Sequence, residues 1–194
     1  MCLTDLADAL AWGARGPLLL VVSGPPASGK STLASALASA GDLAVLSSDV
    51  VRKEALKVPA GVRAPAGSYS PAAKWLVYAE LGARASMALR SGSVVVDATF
   101  GDPAHRDAFL DGLSQSDRDR LRLIVCEAPL GVRIERAWRR AEAGGDVSDA
   151  GPEVVRQLGD DLAEPPAAHR LAVSTDDRAM DLAARVATWI DESP

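Results

Sequence analysis

The chain has 194 residues, 48% of them hydrophobic, and a net charge of −5. That length can bury a core, and the composition is that of an ordinary globular protein. The acidic balance, with no massed basic segment, counts against a nucleic-acid partner, and no apolar run nears the roughly 20 residues that span a bilayer. Two cysteines, Cys2 and Cys126, are too few for a disulfide framework, and Cys126 sits in an apolar run as a small buried hydrophobe. The start, MCLTDLADAL, lacks a basic region, so no signal peptide is expected and the cytoplasm is the default location.

In chain order, a helix is expected over about 3–14, ended by Gly16-Pro17. The apolar run Leu18 to Ser23 reads as a buried strand. It leads into Gly24-Pro25-Pro26-Ala27-Ser28-Gly29-Lys30-Ser31, which fits G-x-x-x-x-G-K-[ST] at every fixed position, and Thr32 continues into a helix reaching about Ala40. Strand, glycine loop and helix together form a phosphate-binding P-loop. Gly24 and Gly29 let the backbone turn close to a polyphosphate. The loop Gly24 through Thr32 forms an anion cradle from its successive backbone N–H groups, which Pro25 and Pro26 lack, and the helix N-terminus. Lys30 adds a cation, and the Ser31 hydroxyl is a ligand for Mg²⁺.

A second strand (43–47) precedes a short helix from about Asp49 that ends before Pro59. The irregular stretch 57–70 follows, then a long helix from Pro71 to about Arg90 capped by Ser70. Trp75, Tyr78, Leu81, Ala85 and Leu89 recur there at helical spacing and read as core. Strand three is 93–98, a helix follows Pro103, and strand four is 121–127. An arginine-rich helix covers about 130–143, Gly144-Gly145 breaks it, and a further helix covers about 152–163. Strand five (171–174) and a last helix (177–191) complete the chain. This alternation predicts an α/β three-layer P-loop NTPase sandwich over 1–194. It has a five-stranded parallel sheet, helices on both faces and a helical lid at about 130–151.

Ligands in such sheets bind beyond the carboxyl ends of the strands. Asp49, after strand two, suits both a helix N-cap and a carboxylate that takes a proton from an attacking hydroxyl. Arg52, one turn on, would hold an acceptor anion or the moving phosphoryl. Asp97, after strand three, would hold Mg²⁺ through water or orient Arg52, and Thr99 follows it toward the acceptor. Arg133, Arg136 and Arg140 share a helical face, with Ile134 and Trp138 as anchors on another. A mobile lid over the phosphates has this pattern, and so does a solvated charged face.

The P-loop, SSDVVRK, VVVDATF and the paired arginines resemble the P-loop kinases of the polynucleotide-kinase/zeta-toxin-like group. Within it they are most similar to the bacterial AAA-type ATP-binding proteins called predicted kinases, some of which are fused to an aminoglycoside-phosphotransferase-like domain. The resemblance covers about 18–188. It implies ATP and Mg²⁺ as cofactors, Asp49 as general base, Arg52 on an acceptor phosphate, Asp97 after strand three, and Arg136 and Arg140 as lid arginines. No phosphatase or ligase domain accompanies it, and no AAA+ sensor or arginine-finger arrangement is recognisable. The expected function is ATP- and Mg²⁺-dependent phosphorylation of a small-molecule hydroxyl. Arg63 and Tyr69 would contact the acceptor, and the adenine would lie near residues 174–178. A polynucleotide 5′-hydroxyl kinase and a nucleotide-dependent regulatory ATPase are the alternatives.

Overall fold

The computed structural model describes residues 16–143, 149–158, 169–176 and 178–192. The expected first helix, the Gly144-Gly145 break, the end of the helix after Pro152 and Asp177 lie outside them. Five strands form a parallel sheet among the described residues: β1 (Leu19–Ser23), β2 (Ala44–Ser47), β3 (Val94–Asp97), β4 (Leu121–Glu127) and β5 (Arg170–Ser174). Their spatial order is β2-β3-β1-β4-β5. The central strands are buried on both faces, so their sequences are continuous apolar runs without alternation.

The helices divide between the two faces. On one, α1 (Lys30–Gly41) and α8 (Ala179–Glu192) cover Leu20, Val22, Ile124 and Cys126. On the other, α2 (Ser48–Leu56), α3 (Pro71–Ala88) and α4 (Pro103–Asp111) cover Leu19, Val21, Val94 and Val96. A short helix not expected from sequence, α5 (Gln115–Asp119), is closed by a Ser114–Asp117 capping box. The helices α6 (Leu130–Ala143) and α7 (Pro152–Leu158) pack on each other at the carboxyl end of the sheet.

Two expected core positions are corrected. Trp75 is 47% exposed on α3, while the expected Tyr78, Leu81, Ala85 and Leu89 are buried and Val77 joins them. Trp138 is 48% exposed and does not anchor α6; Arg133 and Ala137 are the buried residues there.

The α3–α4 contact depends on Gly82. A Cβ there would collide with the Phe109 carbonyl and crowd Gly112. Gly82→Ala gains about 1 kcal/mol of helix propensity, yet forces apart two backbones that cannot yield like a flexible side chain. Overpacking of this kind costs about 1–3 kcal/mol. A net fall of a few degrees in Tm by calorimetry is expected; an increase would show that the helices separate freely.

Candidate functional site

The site lies beyond the carboxyl ends of β1, β2 and β3. Gly24 begins the loop with φ of 139°, and a Cβ there would strike the Cys126 carbonyl. Gly29 caps α1 in the left-handed region at φ 89°, a conformation glycine adopts without steric cost. Ala27 shares that region at φ 63°. Among the described residues the N–H groups of Gly29, Lys30, Ser31 and Thr32 have no backbone partner, the usual state of a helix N-terminus. Free N–H groups at a helix N-terminus are the kind of donors from which an anion site is built.

A cavity of about 660 Å³ opens over this loop. Pro26, Ala27, Gly29, Lys30, Ser31 and Thr32 line it. Gly24, Pro25 and Ser28, expected in the cradle, are absent from that lining and shape the loop from below. The Pro25 carbonyl accepts from Lys30 Nζ at 2.8 Å, and the Ser28 hydroxyl is buried with no hydrogen-bond partner among the described residues.

Lys30 and Asp97 are both buried. Desolvation lowers the Lys30 pKa below its ordinary value, against the attraction of Asp97. Desolvation likewise raises that of Asp97, against Lys30 and a hydrogen bond from Ser31. A bound polyanion would favour the charged form of Lys30. Among the described residues no three acidic, His or Cys side chains cluster as a metal cage. A hydroxyl beside one carboxylate next to a phosphate cradle nonetheless fits Mg²⁺, which keeps several waters and takes its other ligands from phosphate. Cys126, behind the loop, is inert: burial pushes its thiol up to about 12.

Opposite the loop, Ser47 rather than Asp49 caps α2, its hydroxyl accepting from the Asp49 N–H at 3.3 Å. This corrects the capping reading of Asp49, whose carboxylate is left to pair with Arg52. Arg52 is thus held by Asp49 and not by Asp97, and its guanidinium lies 4.7 Å from the Tyr69 ring centre. Thr99 lines the same cavity, joined to Tyr78 through a 2.9 Å hydroxyl contact. Tyr78 in turn stacks on His105 at 4.7 Å.

The sequence reading missed Asp149 and Lys53. The Asp149 carboxylate accepts from the Tyr69 hydroxyl, from the Ala64 N–H at 2.9 Å and pairs with Lys53 at 3.2 Å. Burial opposes its ionisation, but these partners prevail and hold its pKa below the ordinary carboxylate value. Tyr69 is pushed far above its usual range, by burial first and Asp149 next. Both ends of the segment carrying Arg63 are therefore tied to one carboxylate. Lys53, at i+4 from Asp49, carried a spacing signal; Asp149, 85 residues from Ala64, carried none.

The arginines of α6 separate. Arg133 is fully buried, its Nε donating to the Ala128 carbonyl at 3.0 Å, so it belongs to the scaffold. Arg136 donates to the Thr175 hydroxyl and carbonyl at 2.9 and 2.8 Å. Arg139 pairs with Glu135 at 2.5 Å on the exposed face. Arg136 and Arg140 line the cavity, as do Arg63 and Tyr69.

A phosphate loop between β1 and α1, beside an acidic residue ending β3 in a sheet of this order, defines a P-loop NTPase. A family model described as an AAA domain matches residues 19–165, and the chain belongs to that family. Uncharacterized proteins of Mycobacterium tuberculosis and Mycobacterium bovis are each 34% identical over 158 residues, covering 79% of this chain and 31% of the relative. The chain thus spans about a third of the length of these curated relatives. A sugar kinase structure from Janibacter sp. HTCC2649 superposes with a TM-score of 0.66 at 18% identity, covering 92% of this chain and 96% of that one. A putative kinase of Chloroflexus aurantiacus gives 0.65 at 24% over 92% and 98%. The Mycobacterium tuberculosis APS kinase gives 0.64 at 18% over 91% and 98%. The fold is that of the P-loop kinases. Among the described residues no helix is long and apolar enough to cross a membrane.

Proposed function

We propose that this protein is an ATP-dependent kinase that transfers the γ-phosphoryl group to a hydroxyl of a small molecule. The observation that carries this reading is a single cavity bearing the P-loop Lys30 and Ser31 together with the Asp49–Arg52 pair. A regulatory ATPase needs the first; a carboxylate opposite the loop supports an acceptor as well. The Asp-x-x-Arg pair also supports placing the chain, within its family, beside the polynucleotide-kinase/zeta-toxin-like kinases.

The loop N–H groups and Lys30 bind the β- and γ-phosphates. Ser31, with Asp97 behind it, would hold Mg²⁺, which would supply positive charge beside the phosphates. Asp49 accepts the acceptor's proton as the new oxygen–phosphorus bond forms and the bond to the departing ADP breaks. Arg52 steadies the acceptor, Arg136 and Arg140 stabilise the charge on the moving group, and α6 serves as the lid. The adenine rests near Thr175.

ADP release measured over sugars, nucleosides, aminoglycosides and 5′-hydroxyl oligonucleotides tests the reading. Acceptor-dependent ADP with a phosphorylated product supports it. Hydrolysis alone favours a regulatory ATPase, and salt-sensitive turnover of oligonucleotides favours a polynucleotide kinase.

The lid has its own test. Arg140→Ala should lower kcat about 10-fold or more, as loss of a preorganised donor does. Arg136→Ala should lower kcat similarly and also reduce the apo Tm, because its two hydrogen bonds to Thr175 are lost. Arg139→Ala, whose partner is an exposed glutamate, should leave both near wild type. Equal effects in all three would refute the division of labour on α6.

A further inference from the structure

The cavity is far more basic than the protein that contains it. Seven Lys and Arg side chains line it against three Asp, in a chain of net charge −5. All three carboxylates already have partners. Asp49 pairs with Arg52, Asp97 stands beside Lys30 and Ser31, and Asp149 holds Lys53 and Tyr69. Of the cations, Arg139 meets Glu135, Arg136 meets Thr175, and Arg140 is close enough to Lys30 to depress its pKa. Arg63 and Lys74 are different: neither has an ion pair or hydrogen-bond partner from its side chain among the described residues.

Both lie on the acceptor side. Lys74 stands one turn before Tyr78 on α3, hence on the same helical face. Tyr78 meets Thr99 at the end of β3, and the charge of Lys74 is felt by His105, which stacks on Tyr78. Arg63 adjoins Ala64, whose N–H is fixed by Asp149, and the same carboxylate fixes Tyr69 beneath Arg52. The wall that presents Arg63 is therefore braced. Val154 and Leu158 of α7 add apolar surface to the cavity, which lowers the local dielectric and strengthens any ion pair formed there.

We propose that Arg63 and Lys74 form an anion subsite, so that the hydroxyl compound accepted here carries a carboxylate or a phosphate. The inference rests on the kinase reading above for the word acceptor, and on the cavity alone for the anion.

Matched pairs test it: glycerol with glycerate, glucose with gluconate, ribose with ribose 5-phosphate. ADP release by the wild type should favour the anionic member of a pair, and the gluconate and ribose 5-phosphate arms tell carboxylate from phosphate. In the Arg63→Ala/Lys74→Ala variant the KM for that member should rise about 10-fold or more, the worth of a hydrogen bond to a charged group, while the KM for ATP stays put. Preference for the neutral member, or an unmoved acceptor KM, overturns the proposal. A binding measurement separates it from the kinase reading. With Mg²⁺ and a non-hydrolysable ATP analogue filling the P-loop, an anionic probe should raise the Tm of the wild type and not of the double variant. If no anionic probe does so, the subsite is absent. If one does and no ADP forms from ATP, the subsite stands and the kinase reading falls.

Discussion

Lys30→Met is expected to eliminate turnover and the ATP-dependent rise in Tm while leaving the apo protein close to wild-type stability. The two halves have one cause. Lys30 is buried with its ammonium donating to the Pro25 carbonyl, and burial pulls its pKa down despite Asp97 nearby. In the apo protein the ammonium therefore gains little from its surroundings, and a Met of similar length sacrifices little. Asp97, already raised by burial, rises further without the cation and keeps its hydrogen bond with Ser31. With nucleotide present the balance reverses, because the polyphosphate brings several negative charges within reach of Lys30. A ligand at 100 times its Kd stabilises the folded state by about 2.7 kcal/mol, a shift of several degrees that scanning fluorimetry resolves. Lys30→Arg should not rescue, since a planar fork does not fit the space of a point charge inside a closed loop. A wild-type ATP shift retained by Lys30→Met would mean that the loop is not the phosphate site.

The sheet and the phosphate loop were legible because their signals are local. A buried parallel strand must be continuously apolar, and a loop that wraps phosphate must place glycine where a Cβ fails, as Gly24 shows against Cys126. The expected bounds of β4 and α6 coincide with the observed Leu121–Glu127 and Leu130–Ala143. Local spacing failed where two periodic readings compete. Helical spacing assigned Trp75 to the core along with Tyr78, yet Tyr78 is buried, Trp75 is exposed and Val77, two positions on, is buried instead. It grouped Arg133 with Arg136 and Arg140, although Arg133 is fully buried and donates to the Ala128 carbonyl before α6. Residue type alone could not decide between Ser47 and Asp49 as the cap of α2; the Ser47 hydroxyl reaches the free N–H, which leaves Asp49 for Arg52. The brace around Asp149 was invisible because its partners are tied by the fold across 80 and 85 residues, with no short-range pattern.

Asp49→Asn should lower kcat by about 10²- to 10⁴-fold, the usual range for loss of a general base, with near-normal affinity for ATP. The shape of the side chain and the Ser47 cap are kept, so α2 should stay in place. The pairing with Arg52 adds an effect that sequence alone did not suggest. Arg52 is 7% exposed. Its neutralising partner is lost in Asp49→Asn, and the Tyr69 ring under it compensates only in part. A measurable fall in apo Tm should therefore accompany the catalytic loss. The double variant Asp49→Asn/Arg52→Met should recover much of that stability, because the unpaired buried charge is gone, and recover none of the activity. This separation identifies the roles. Stability restored without activity assigns the proton acceptor to Asp49. Activity restored along with stability would make Asp49 a mere counter-ion for Arg52. A loss of ATP affinity in the single variant equal to its loss of kcat would move Asp49 to the nucleotide side of the cavity.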